Sequence, residues 1–132
     1  MLYATRHFPQ HRPLLAMTLM AAMLGHIYTP FLKGKGGKGV ATFFGALTVV
    51  MPEISFVFLV FFLLTVSVCR YVSAASVTGV SVAFLFVLVS QSVEVSMIIL
   101  LSVLVIIVHH RQNIQRILNG KETRLGKRIC HE

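Results

Sequence analysis

Apolar residues run along the chain in five long segments that contain no Lys, Arg, Asp or Glu. A helix needs about 20 residues to cross the hydrocarbon core of a bilayer, with a range of roughly 17 to 25. The first and fourth segments reach that length alone, and the other three need neutral flanking residues. Because backbone groups within lipid must hydrogen-bond internally, all five are predicted as helices rather than open sheets. The segments comprise residues 13–32, 39–52, 54–69, 71–93 and 95–108.

The charged residues in the gaps between these segments alternate in sign. Lysines fill the first gap, Arg70 fills the third and a basic tail follows the last segment, whereas Glu53 and Glu94 fill the second and fourth gaps. If all five segments cross, every one of these basic regions lies on one side of the membrane, and the positive-inside rule makes that side the cytoplasm. Arg6 and Arg12 are exceptions, because this topology places them outside.

The basic tail is predicted to continue the last membrane helix. Apolar residues recur at helical spacing from Ile114 to Leu118, and Asn119-Gly120 is the predicted stop. The alternative is a solvated tail that senses lipid charge. The fold class predicted is therefore all-α: a polytopic transmembrane helix bundle of about five membrane segments plus a basic cytoplasmic C-terminal helix, forming a single membrane domain over residues 1–132.

Composition supports this class and limits the choice of partners. Of the residues, 56% are hydrophobic and 12% are charged, and the mean hydropathy is +0.83; a soluble domain carries roughly 25% charged residues. The net charge is +8, with the cations beside apolar segments. Membrane lipid and phosphorylated substrates are the expected partners. Nucleic acid is not, because the chain lacks interleaved aromatic residues and a soluble basic helix.

The glycine- and lysine-rich stretch KGKGGKG, residues 33–39, is the first candidate for chemistry. The nucleotide phosphate-loop pattern fails because Leu32 replaces its first glycine and Lys38 precedes another glycine. The GxGxxG pattern is met, but after a membrane segment instead of a strand. The third interpretation is a phosphate cradle, in which glycines adopt positive φ, N–H groups form a nest and the next helix begins. The alternative is a flexible loop that only obeys the positive-inside rule.

Histidines provide the second group of candidates. His26 precedes the lysine loop, and His109 and His110 lie at the same side of the membrane by the predicted topology. His110 and Asn113 share one side of a helix. Each histidine alone is either an interfacial side chain or a functional one. Because His109 and His110 are adjacent and cannot easily turn toward one ion, and Cys69 has no cysteine near it in the sequence, no metal site is predicted.

These residues together resemble the bacterial acyl-phosphate:glycerol-3-phosphate acyltransferases, which are polytopic inner-membrane enzymes. One family motif is similar to Gly25-His26 followed by KGGKGVAT at 35–42, and another to HHRQNIQRILNGKE at 109–122. The resemblance covers essentially the whole chain. A first motif of the family, close to SGNxGxTN, is absent, and the resemblance implies that two N-terminal helices are absent with it. The chain is then a truncated product, a late start, or part of a split protein whose N-terminal half is encoded separately.

The resemblance implies acyl transfer from an acyl phosphate to the 1-hydroxyl of glycerol 3-phosphate, giving lysophosphatidic acid for phospholipid synthesis in the bacterial inner membrane, without a cofactor or metal. It implies His26 as a catalytic residue, either a general base or a neighbour of a substrate phosphate that takes the proton. The implied substrate-binding residues are Lys35, Gly36, Gly37, Lys38, Gly39, His110 and Asn113.

A function from another class is a non-catalytic membrane protein, such as a partner subunit, a small transporter or a lipid-binding scaffold. A transporter would carry polar residues deep in its helices, and the third and fifth segments have only Ser and Thr there. Without the two implied N-terminal helices, the small side chains of 73–76 are expected to face lipid.

Overall fold

The computed structural model describes residues 11–28 and 37–125 of the chain, and every regular element in those ranges is an α-helix. The prediction of an all-α bundle is confirmed. The helices are α1 (Arg12–Ile27), α2 (Val40–Val50), α3 (Pro52–Cys69), α4 (Val72–Ser90) and α5 (Val93–Leu118).

Local sequence explains where these helices break. Pro52 is the first residue of α3, where its missing N–H costs no helical hydrogen bond. Met51 before it has φ −143 and ψ 72, in agreement with the restriction that proline places on the preceding residue. Arg70 ends α3 in the left-handed region with φ 58, and Gly120 takes φ 66 just after α5. The stop predicted at Asn119-Gly120 is therefore confirmed, as is the continuation of α5 into the basic tail.

The five helices form a closed ring. Each helix packs against its neighbours in the chain, and α5 packs against α1 to complete the circuit. Apolar side chains from all five elements fill the interior, including a run of stacked rings in which Phe58 lies between Phe44 and Phe62 at centroid distances of 5.0 and 5.9 Å. Gly79 of α4 is needed beside this stack, because a Cβ there would lie 2.9 Å from the Phe58 ring.

Within the described residues three helices, α3, α4 and α5, are long and apolar enough to cross a membrane, and the chain is a multi-pass membrane protein. The other two are shorter than the sequence segments suggested, with 16 residues in α1 and 11 in α2. At 1.5 Å per residue, α2 is only about 16 Å long and its packing partner α3 about 27 Å. The two helices meet at Met51, which follows α2 and precedes α3. The start of α2 therefore lies roughly 10 Å deeper in the bundle than the end of α3 beside it.

The charged groups between the described helices lie at the two ends of the ring as the sequence predicted. The end that carries Lys38, Arg70 and the tail after α5 is called the basic end below. At the opposite end, Arg12 Nη1 donates to Gln91 Oε1 at 3.1 Å and so ties the start of α1 to the end of α4. That residues 1–132 form a single domain stays a prediction.

One expectation about α4 is wrong. Ser73, Ala75 and Ser76 do not face lipid: their exposed fractions are 8, 0 and 5%, and Ala74 is half-buried. These small side chains lie on the inner side of α4, where α4 packs against both α3 and α5.

Candidate active site

A cleft of about 500 Å³ opens at the basic end of the ring. It is bounded by the last turn of α1, the start of α2, the start of α4, the polar part of α5 and the residues after α5. Its lining residues are His26, Gly37, Lys38, Gly39, Val40, Ala41, Val72, Ser73, Ser76, His110, Asn113, Glu122 and Thr123. Helix ends from four parts of the ring therefore meet around one recessed space.

The start of α2 requires glycine on two grounds. Gly39 precedes the helix with φ 82, a left-handed conformation that glycine adopts without strain. A Cβ at Gly39 would also lie 2.8 Å from Ile27 Cδ1 and 2.9 Å from Met23 Cγ, so α1 approaches the backbone closely. No described side chain caps α2, and the N–H groups of its first turn add a positive potential at the cleft.

A chain of hydrogen bonds connects the lysine loop to the tail across the cleft. Lys38 Nζ donates to Asn113 Oδ1 at 2.6 Å. Asn113 Nδ2 in turn donates to Glu122 Oε1 at 2.7 Å. The same oxygen accepts from Ser73 Oγ at 2.8 Å, and Glu122 Oε2 accepts from Arg116 Nε at 2.8 Å. The cation and the anion fix the Asn113 amide, with its oxygen toward the ammonium and its nitrogen toward the carboxylate.

The charges in this network shift each other's ionisation. The hydrogen bond from Arg116 is the largest cause that lowers the pKa of Glu122 to about 2, and the bonds from Asn113 and Ser73 lower it further, against the opposing effect of burial. Burial lowers the pKa of the Lys38 ammonium, Glu122 opposes that change and Arg116 adds to it. The carboxylate is thus held as an anion that is already paired, whereas the hydrogen bond of Lys38 within the described residues goes to a neutral amide.

Two histidines face the cleft with different geometry. His110 is buried at 2% exposure, and its Nδ1 donates to the Ile106 carbonyl at 2.8 Å. Because a carbonyl can only accept, the neutral ring keeps its unprotonated Nε2 for another partner. His26 is exposed and lies over Gly37, where a Cβ would come 2.5 Å from its Nε2. His109 does not line the cleft, and its ring packs edge-on against Tyr28 at 5.8 Å.

The structure brings the described candidates from the sequence into one place. His26, Gly37, Lys38, Gly39, His110 and Asn113 all line the cleft. Lys35 and Gly36 lie outside the described residues. The prediction that His110, and not His109, faces the site agrees with this placement.

Sequence reasoning missed five polar residues of the cleft and its network. The residues given no role were Ser73, Ser76, Arg116, Glu122 and Thr123. The available signal was Glu122 itself, an acid between Lys121 and Arg124 in a strongly basic tail, two residues after the glycine that reverses the chain.

Comparison with known proteins assigns this arrangement to a family. A family model described as glycerol-3-phosphate acyltransferase matches residues 1–120. The chain belongs to the glycerol-3-phosphate acyltransferase family. The resemblance of its two motifs to that family is therefore confirmed.

Individual members of the glycerol-3-phosphate acyltransferase family match with substantial identity but greater length. The protein from Shewanella woodyi is 38% identical over 86% of this chain and 56% of its own length. The one from Thermosipho melanesiensis is 45% identical over 76% of this chain and 50% of its own. The chain thus spans about half the length of these relatives.

Solved structures of the family show the same fold. The crystal structure of PlsY (YgiH), an integral membrane glycerol 3-phosphate acyltransferase, in its glycerol 3-phosphate form superimposes with a TM-score of 0.89 at 39% identity, covering 95% of this chain and 63% of that one. The lysophosphatidic acid form gives a TM-score of 0.88 at 39% identity, covering 95% and 64%.

Proposed function

We propose that this chain transfers a fatty acyl group from an acyl phosphate to the 1-hydroxyl of glycerol 3-phosphate, giving lysophosphatidic acid and inorganic phosphate. The observation that carries the proposal is the meeting of Lys38, the α2 N-terminus, His110 and Asn113 in one recessed cleft of a family member. Structures of the related PlsY in glycerol 3-phosphate and lysophosphatidic acid forms support the identity of the acceptor and the product.

The cleft suits molecules that combine a phosphate with an acyl chain. Its polar side offers the Lys38 ammonium and the α2 N–H groups to phosphate oxygens, and the unprotonated Nε2 of His110 can accept from a hydroxyl of the acceptor. Its other side is formed by Val40, Ala41 and Val72, which are apolar and at least partly exposed. An amphiphile entering from the bilayer can therefore place its head group at the cations while its chain remains in apolar surroundings.

The reaction requires little covalent chemistry from the protein. The 1-hydroxyl oxygen bonds to the acyl carbonyl carbon, the bond from that carbon to the phosphate oxygen breaks, and inorganic phosphate leaves. The hydroxyl proton passes to His26 or to a phosphate oxygen of the substrate. Positioning of the two substrates and stabilisation of the developing negative charge by Lys38 and backbone N–H groups supply the catalysis. We place the reaction at the cytoplasmic face of the bacterial inner membrane, where the basic end faces anionic lipid.

The test is acyl transfer from palmitoyl phosphate to radiolabelled glycerol 3-phosphate by the purified chain in detergent. We expect product from the natural sequence and its loss in Lys38→Ala, whereas Arg111→Ala removes an equal charge from the exposed basic end and retains activity. His26→Ala assayed alongside decides the proton acceptor, because full turnover without the imidazole ends the role of general base. No product and no glycerol 3-phosphate binding would favour a non-catalytic membrane protein.

A further inference from the structure

The chain turns back on itself after α5. Asn119 closes the helix, Gly120 takes φ 66, and the N–H of Lys121 donates to the Arg116 carbonyl at 2.7 Å. Residues 121–125, here called the strap, then leave the helix axis and lie across the basic end of the ring. The α5 terminus therefore anchors the first end of the strap.

The second end of the strap is anchored on the turn between α3 and α4. Arg124 Nε donates to the Tyr71 hydroxyl at 3.0 Å, and the guanidinium carbon lies 5.4 Å from the centre of the Tyr71 ring. The N–H of Leu125 donates to the carbonyl of Arg70 at 2.8 Å. Arg70 and Tyr71 are 53 to 55 positions earlier in the sequence than the strap residues they hold.

Glu122 and Thr123 lie between these two anchors, and both line the cleft. The position of Glu122 fixes the Asn113 amide, which receives the hydrogen bond from Lys38. The anchor at Tyr71 is therefore connected to the lysine through three intervening contacts. Because the Arg124 contact is exposed, its worth to global stability is small, whereas a shift of the strap would move one wall of the cleft directly.

We propose that Tyr71 and Arg124 are positioning residues, which hold the strap so that Glu122 and Asn113 present Lys38 correctly to the phosphate of the acceptor. The proposal rests on the proposed function for its substrate, and on the geometry of the strap for its mechanism. Tyr71 and Arg124 are not among the residues that line the cleft. Each therefore acts through Glu122 and is not a catalytic residue.

The experiment compares Arg124→Ala, Arg124→Lys and Tyr71→Phe with the natural chain. We expect Arg124→Ala to raise the KM for glycerol 3-phosphate about three- to tenfold, with kcat and Tm nearly unchanged. Tyr71→Phe keeps the ring under the guanidinium and loses only the hydroxyl acceptor. Arg124→Lys keeps the cation but lacks the Nε donor. Both variants should therefore raise the KM for glycerol 3-phosphate less than Arg124→Ala does. Arg111→Ala is the matched control for loss of one positive charge and should leave KM unchanged.

A second readout does not need activity. In a background of Cys69→Ser and Cys130→Ser, Ser76→Cys reports displacement of the strap by its rate of reaction with a soluble maleimide, because Ser76 lines the cleft together with the strap residues and is only 5% exposed. Arg124→Ala should increase that rate severalfold and Arg111→Ala should not, even if the natural chain transfers no acyl group. Equal KM values and equal labelling rates in Arg124→Ala and Arg111→Ala would overturn the proposal, and so would a fall in kcat and Tm together, which indicates a merely structural contact.

Discussion

At the scale of single residues, Glu122 is the side chain that connects most of the hydrogen-bonded groups of the cleft. It accepts hydrogen bonds from α4 through Ser73 and from α5 through Asn113 and Arg116, and it belongs to the strap. A carboxylate can do this because both of its oxygens accept. Glutamine offers one acceptor, and its amide nitrogen would face the donor of Arg116 or of Asn113.

We therefore expect Glu122→Gln to destabilise the fold by about 1–2 kcal/mol, the usual range for losing hydrogen bonds to a charged group, here a carboxylate whose side chain is 11% exposed. Thermal unfolding in detergent measures the change. Glu94→Gln is the control, since it removes an equal charge from an exposed first turn of α5, where the expected effect is a few tenths of a kcal/mol. Equal shifts in the two variants would contradict the importance of the network.

The same carboxylate predicts how stability depends on pH. Its pKa is lowered to about 2 in the folded chain, so the folded state binds its proton more weakly than the unfolded state does. The stabilisation is complete above the unfolded pKa of roughly 4.3 and is lost as pH falls toward 2. Melting between pH 6 and 2 should therefore show a steeper loss of Tm in the natural chain than in Glu122→Gln; parallel curves would contradict the assignment.

At the scale of elements, the short helix α2 illustrates what the sequence reveals and what it hides. The glycines before it predicted a helix start that approaches an anion, and the structure places Gly39 in the required left-handed conformation. The close contact with α1 could not be predicted, because Met23 and Ile27 reach Gly39 only through packing. Local conformation is encoded by neighbouring residues, whereas contacts between helices depend on the whole bundle.

Substitution of two glycines, Gly39 just before α2 and Gly45 within it, should change stability in opposite directions. Gly39→Ala should destabilise by about 2 kcal/mol or more, because positive φ strains alanine and the new Cβ meets Met23 and Ile27. Gly45→Ala should instead stabilise by roughly 0.5–1 kcal/mol, since that position is helical and its Cβ meets nothing within 4 Å. Both are measured as shifts in Tm, and destabilisation by Gly45→Ala would show that α2 is packed differently.

At the scale of the whole molecule, charge alternation predicted which ends of the helices share a side, and that was enough to bring His26, the lysine loop and His110 together. Closure of the ring by α5 against α1 was not predictable, because the apolar faces of membrane helices carry no distinctive period. The strap was missed for a similar reason: its anchor on Tyr71 joins residues 53 positions apart. Features that depend on neighbouring residues, or on alternation along the chain, can be predicted from the sequence. A specific contact between distant residues cannot.

The sidedness of the bundle is a prediction that the charges make for the whole molecule. Ser92 lies between α4 and α5 at the end opposite the cleft, and Lys121 lies at the basic end; both are exposed. In a chain with Cys69→Ser and Cys130→Ser, Ser92→Cys should react with a membrane-impermeant maleimide in spheroplasts, and Lys121→Cys only in inverted vesicles. The physical reason is that the cations of the basic end are held on the side from which membrane proteins insert. Labelling of Lys121→Cys from outside would invert the topology, and it would place the cleft away from the cytoplasmic phosphorylated substrates that the proposed reaction requires.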